Sequence, residues 1–276
     1  MGAFSQLSGF DFLQRWHARF PGGTAKQFAQ ATIEARDCSS YELLADDVGS
    51  PMQVNTVLDV ACGDGYLLEC IGRRLPQGQL SGIDASPEEL ELARRRLPHS
   101  KVRLVEGHAD AMPFENAAFD AATCHMALML FDDARAVVRE IARVVRPRGV
   151  FAAMLGPAPG ASEAVKRFGR KLNEVERTNG LAPLDIGDPA VQSGGLRGIF
   201  DTGEWSSVSL DMVGLQFNGE DCVRAMLMGM YNTARLSESA RQELDEYISD
   251  EFRRSSEEDD PTPWALGLCH LVAHRA

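Results

Sequence analysis

The residues best suited to chemistry lie in one stretch, Val57-Leu58-Asp59-Val60-Ala61-Cys62-Gly63-Asp64-Gly65. An apolar run ends there in a glycine-rich turn and passes into a helical pattern. Glycine takes positive φ without a Cβ clash and lets the backbone run close beneath a ligand. The start of the following helix offers unpaired N–H donors. Asp84 stands 19 residues past Gly65, at the end of the next apolar run, where a carboxylate suits a ribose diol. A plain βα turn with an acidic neighbour is the simplest reading of Gly-x-Gly alone. A nicotinamide-binding turn wants a third glycine three residues after the second, where this chain has Leu68. Asp59 is also foreign to that turn. A P-loop is excluded, because no Gly-Lys-Ser/Thr follows.

The elements that must hold these residues read as follows. Residues 1–50 are helical and aromatic-rich. Phe10, Leu13, Trp16 and Phe20 fall at helical spacing, and Pro21-Gly22-Gly23 ends that helix. A second helix is expected at about 25–36 and a third at about 40–47. From residue 54, short apolar runs alternate with helical patterns. Ser86-Pro87-Glu88-Glu89 opens one helix with a serine cap, a first-turn proline and early carboxylates. The alternation implies βαβ units and a parallel sheet covered on both faces. Residues 157–205 break the rhythm and read as an inserted lid. In SSVSLDMVGLQF the apolar phase slips near Met212-Val213, which predicts a bulge. An acidic stretch then precedes a final strand, PWALGLCHLVA.

Composition excludes several classes of function. The 276 residues carry 28 Lys and Arg against 40 Asp and Glu, a net charge of −12. That balance disfavours phosphate backbones and anionic membranes, so neither nucleic acid nor a membrane is an expected partner. From Glu243 to Asp260, nine carboxylates meet two arginines, which reads as a solvated, partly mobile segment. Cys38, Cys62, Cys70, Cys124, Cys222 and Cys269 show no ligand spacing, so a reducing, cytoplasmic setting and no metal are expected. The opening twenty residues lack the pattern of a secretory signal. No apolar run is long enough to cross a membrane.

The motif Asp59-x-Ala61-x-Gly63-x-Gly65 resembles the first motif of class I S-adenosylmethionine (SAM) methyltransferases, with Ala61 in place of the usual first glycine. The resemblance extends over most of 54–156, through SGIDASPEELELARRRL, VEGHADAMPFENAAFDAATCHMALMLF and REIARVVRPRGVF. It comes nearest to the small-molecule branch that includes quinone-biosynthesis enzymes. It implies an α/β, Rossmann-like, seven-stranded sheet, mostly parallel with an antiparallel last strand. The chain would divide into an N-terminal helical cap (1–50), a SAM-binding core (51–156), a lid (157–205) and the C-terminal part of the sheet (206–276).

By the same resemblance, Asp59 orients the turn or the methionine amine, and Ala61, Cys62, Gly63 and Gly65 pass under the methionine. Asp84 holds the ribose hydroxyls, Ala85 packs on the adenine, and the Ala109 backbone meets the adenine edge. His108 stands where the family has an acid, so either it or Asp110 accepts from the adenine amino group. Cys124 and His125 line the methionine end.

The implied reaction is displacement at a sulfonium methyl, leaving S-adenosylhomocysteine (SAH). Positioning carries most of such catalysis, with a base where the nucleophile is a hydroxyl or acidic carbon. His125, just past the fourth strand, is the expected base; a histidine that only contacts the cofactor is the alternative. His17 on the first helix could reach over the site or simply pack. His270 and His274 read as structural and His99 as solvated.

Trp16, His17, Phe20, Met129, Met230 and Tyr231 are candidate walls for an aromatic or polyketide-like substrate, against ordinary core packing. Arg135, Arg139, Arg143 and Arg146 form a basic stripe, either a solvated face or a docking surface for a carrier protein or second subunit. The expected activity is methyl transfer to an O, N or C atom of a small, partly apolar metabolite. A SAM-binding protein that does not methylate (a cyclase or regulatory subunit) and a protein methyltransferase are the alternatives.

Overall fold

The structure, a computed structural model, describes residues 9–49, 54–98, 101–192, 195–257 and 264–276. His99 lies outside them, as does the end of the acidic stretch, 258–260. The strands are β1 (Thr32–Ile33), β2 (Thr56–Val60), β3 (Gln79–Asp84), β4 (Arg103–Glu106), β5 (Phe119–His125), β6 (Val145–Ala158), β7 (Trp205–Gln216) and β8 (Ala265–Arg275). The helices are α1 (Gly9–Arg19), α2 (Gly23–Phe28), α3 (Ser40–Asp47), α4 (Tyr66–Arg74), α5 (Pro87–Arg96), α6 (Ala134–Val144), α7 (Glu163–Thr178), α8 (Pro189–Gln192), α9 (Glu220–Met228), α10 (Tyr231–Ala234) and α11 (Glu238–Glu257).

One sheet runs in the order β1-β7-β8-β6-β5-β2-β3-β4. Strands β2 to β6 are parallel neighbours, and β8 is antiparallel to both β6 and β7. The expected α/β class and antiparallel last strand are present. The strand count differs from the expected seven by β1, where Thr32 and Ile33 pair with Gln216 and Leu215. The second helix therefore stops at Phe28 rather than about residue 36. Past it the backbone donors go elsewhere: Ile33 N–H to Cys38 O, and Glu34 N–H to Gly214 O.

The central strands are apolar on both faces because helices cover both. In β2, Val57 packs into one core cluster with α3, α4, α7, α9 and α11, while Leu58 and Val60 pack into a second with α6. This two-sided core also accounts for the phase slip in β7. Its pairing with β8 runs unbroken from Ser207 to Gln216, and the irregularity falls between Trp205 and Ser207. No bulge occurs at Met212-Val213. Instead the buried side of the strand changes: Val208 and Leu210 pack into the second cluster, Val213 and Leu215 into the first.

The acidic stretch is ordered helix as far as Glu257, not a mobile segment. In α11, Leu244 and Ile248 are fully buried, and the buried Glu251 takes Arg167 of α7 at 2.6 Å. The insertion divides. Helix α7 joins the first core cluster through Phe168 and Leu172, whereas Leu184 and Ile186 pack against α1.

Candidate functional site

The chain leaves β2, builds outward through β3 and β4, and returns to β5 on the other side of β2. Such a reversal opens a crevice at the carboxyl ends of the strands. A cavity of about 490 Å³ lies there, within the range usual for small-molecule sites.

Its floor is the turn after β2. Ala61, Gly63 and Gly65 all have positive φ, 55°, 50° and 78°. Ala61 pays the steric cost that glycine would avoid, and strain of this kind gathers at ligand sites. A Cβ on Gly65 would come within 3.1 Å of Ala93 and Leu97, so this glycine lets α4 approach α5. Gly65 itself therefore packs against α5 rather than joining the lining, whereas Ala61, Cys62 and Gly63 line the cavity.

Carboxylates surround that floor. Asp59 is buried at the end of β2 and accepts from Thr123 Oγ1 at 2.9 Å. Burial, with Asp84 and Asp64 nearby, pushes its pKa up to about 8 despite that hydrogen bond. Asp84 accepts from Gly63 N–H and Ser86 N–H, both at 2.8 Å, which ties the floor to β3. Its pKa is raised by burial against those two donors. Asp64 turns to Arg96 at 2.5 Å. Asp59, Asp64, Asp84, Glu89, Asp110, Asp132 and Asp133 line the cavity; among the described lining residues there is no Lys or Arg.

At one end Ala85, His108, Ala109 and Asp110 meet the cavity, with the Phe10 ring 5.4 Å from that of His108. Both candidates for the adenine contact are thus present. At the other end stand His125, Met126, Leu130 and Phe131. Cys124 alternates to the opposite side and is wholly buried in the second core cluster.

The surroundings of His125 change the role expected of it. Its Nε2 meets Ser40 Oγ at 2.9 Å, its ring stacks on Tyr41 at 3.7 Å, and Nδ1 has no hydrogen-bond partner among the described residues. Burial lowers its pKa to about 3. The ring is neutral at physiological pH and a weak proton acceptor, which argues for contact and positioning rather than base catalysis.

Of the expected substrate walls, His17 and Tyr231 line the cavity. Trp16, Phe20, Met129 and Met230 are not among its lining residues. Trp16 is 2% exposed and packs edge-on against Tyr231, behind the site. Phe20 is partly exposed beside Arg19. Met129 packs against the second core cluster and Met230 against the first.

The apolar face of α1 is also one step from the expected stripe. Phe12 and Trp16 anchor the helix, while Phe10, Leu13, Gln14 and His17 face the cavity. Tyr41 and Glu89 are lining residues that the motifs did not single out. The sequence does hold a signal for the roof, since positions 10, 13, 14 and 17 share one helical face.

The remaining groups are accounted for by structure. His270 pairs with Asp47 at 2.6 Å. In the basic stripe, Arg135 donates to Gly198 O, Arg143 to Glu140 and the carbonyls of Met112 and Phe114, and Arg146 pairs with Asp120 at 2.6 Å. Arg139 is solvent-exposed. Among the described residues, no group of three or more His, Cys, Asp or Glu is placed to hold a metal ion, and no helix is long and apolar enough to cross a membrane.

Comparison with known proteins finds the same motif stretch in methyltransferases. Residues 58–153 match the methyltransferase domain family. The chain is 28% identical over 134 residues to YdaC, an uncharacterized methyltransferase of Bacillus subtilis; the match covers 48% of this chain and 74% of that protein. Over residues 58–153 the chain carries a methyltransferase domain.

A second relative of this methyltransferase is the demethylmenaquinone methyltransferase of Thermotoga maritima, 36% identical over 93 residues, covering 34% of this chain and 40% of that one. The match spans less than half of the quinone enzyme's length. Among solved structures, the methyltransferase resembles the chain determined in complex with the Haloferax volcanii Trm112 methyltransferase activator. There the TM-score is 0.58 at 18% identity, with 97% of each chain covered, a likeness of fold.

Proposed function

We propose that this methyltransferase moves a methyl group from SAM to a small, partly apolar acceptor in natural-product or quinone-type biosynthesis. The observation that carries the reading is the charge of the cavity, seven carboxylates with neither Lys nor Arg among the described lining residues. SAM bears a sulfonium and an ammonium, which such a lining attracts. Dinucleotides and phosphorylated acceptors would meet repulsion there, so the acceptor is a neutral molecule or a cation. Phe10, Leu13, Tyr41, Met126, Leu130 and Phe131 supply apolar wall.

In this reading Asp84 holds the ribose hydroxyls with the lone pairs its two N–H donors leave free. Asp59 faces the cationic methionine end, and the Gly63 turn passes beneath it. Ala109 and either His108 or Asp110 border the adenine. SAM supplies an electrophilic methyl whose departure from sulfur needs no acid. Tyr41, His125 and Phe131 hold the acceptor and exclude water, so that proximity lowers the barrier.

The test is a labelled-methyl assay of the purified protein against a metabolite extract. Label should appear in a small, organic-extractable product. Label confined to protein would point to a protein methyltransferase. SAM binding with no labelled product would point to a protein that uses the fold without transferring the methyl.

A further inference from the structure

Two helices of this chain begin with Ser-x-x-Glu, and the glutamates behave differently. In α3, Ser39 accepts from the Glu42 N–H while the Glu42 carboxylate returns to the Ser39 N–H, completing a reciprocal cap. In α5, Ser86 accepts from the Glu89 N–H, but the Ser86 N–H donates to Asp84 instead. The Glu89 side chain is thereby released from capping. It is 2% exposed and lies beside Asp64 and Asp84, whose pKa values its charge helps to raise. A buried carboxylate among like charges persists only where strong donors hold it.

Both donors come from the roof of the cavity. His17 Nδ1 meets Glu89 Oε1 at 2.8 Å, and the Gly22 N–H donates to Oε2 at 2.9 Å. The ring edge opposite carries the chain onward, with His17 Nε2 3.5 Å from the Tyr231 hydroxyl. Other attachments of α1 include Phe12 and Trp16 against Leu184, Ile186 and Tyr231, the Phe10 ring against His108, and the Gly9 N–H to Asp185 O. Glu89 thus joins α5, which borders the ribose end, to the C-terminal end of α1 and the turn that follows it.

We propose that Glu89 is a positioning residue that latches helix α1 shut over the cofactor through His17 and the Gly22 N–H. The proposal rests on the methyltransferase reading of the cavity. A ligand held under α1 can leave only when the latch opens, so Glu89 sets the residence time of SAM and SAH and the exclusion of water around the transferring methyl.

The experiment compares hydrogen exchange across α1 and the SAH dissociation rate in wild type, Glu89→Ala, Glu89→Gln, His17→Ala, the Glu89→Ala/His17→Ala double variant and a control, Glu91→Gln. Glu91 is an exposed residue of the same helix, paired with Arg94 and Arg95. Loss of hydrogen bonds to a charged group predicts about tenfold faster exchange in α1 and about tenfold faster SAH release for Glu89→Ala. Amides of the central sheet should keep wild-type rates. Glu89→Gln retains an acceptor for the Gly22 N–H and should fall between. The double variant should be no worse than Glu89→Ala alone, because that variant already removes the link to His17. The control should match wild type.

Exchange in α1 unchanged by Glu89→Ala would overturn the proposal. Should that variant fail to fold, His17→Ala cuts the latch from the other side and decides the question alone. Failure of the wild type to bind SAH would overturn the reading of the cavity instead, while the exchange comparison would still decide the latch.

Discussion

Asp59 shows how a single buried side chain can oppose folding once it ionises. Its carboxyl is buried beside two other acids, and its pKa is pushed up to about 8. The unfolded chain ionises the same group near 3.8. Asp59 therefore favours the folded state fully below pH 4, and that contribution is lost as pH rises to 8. Asp59→Asn keeps the neutral form at every pH. At pH 8 the variant should be more stable than wild type by about 2 kcal/mol or more in urea melts, with the difference gone near pH 4. The same variant should bind SAM more weakly, since it can no longer ionise when the cationic end of the ligand arrives beside it. Equal stability of the two proteins across this range would contradict the account of Asp59.

Much of this residue-scale picture was legible in the sequence, because Asp59, Gly63 and Asp84 are fixed by turn geometry and short spacing. His125 was legible in position and not in chemistry. Its burial under Tyr41 and Ser40 depends on α3, which the chain brings back from 85 residues away. Glu89 was legible as an early carboxylate of its helix and not as a cavity residue, because Gly22 and His17, which hold it, arrive from far away in the chain.

Elements were legible where the pattern is local. The βα alternation of 54–156 and the Ser86 cap appear where expected, because apolar strand runs and capping residues act over a few positions. The misreadings arose where an element answers to two neighbours. Strand β7 changes its buried side between Leu210 and Val213 because different layers cover its two halves. A change of phase in sequence is then a change of partner, not an inserted residue. This predicts opposite outcomes three residues apart. Leu215→Ala, at a fully buried position, should cost about 2–5 kcal/mol in denaturant melts. Met212→Ser, at a position 55% exposed, should change stability by less than about 0.5 kcal/mol. Comparable losses at both would restore the bulge.

Helix α1 follows the same logic. Phe12 and Trp16 hold it to the body, and the neighbouring face turns toward the cavity. An aromatic-rich stripe in sequence does not by itself reveal which of two faces meets a ligand, since both carry large apolar side chains.

At the scale of the molecule, two regions contribute heavily to the net charge of −12. One is the stretch near α11, much of it a solvated helix face carrying ion pairs to α7 and α9. The other is the set of carboxylates lining the cavity. The overall balance therefore says little about the substrate, and the local one says a good deal. The topology explains why both readings converge on one place. Strands β2, β3 and β5 end together at the reversal of strand order, bringing Asp59, Asp84 and His125 to one cavity roofed by α1.

The central claim is that this cavity is a SAM site, and calorimetric titration of the purified protein tests it most directly. SAM and SAH should each bind one per chain with micromolar-range dissociation constants, while NADH should give no binding heat and Asp84→Ala should weaken both ligands at least about tenfold. Absence of SAM and SAH binding by the folded protein, or binding of NADH in their place, would contradict it.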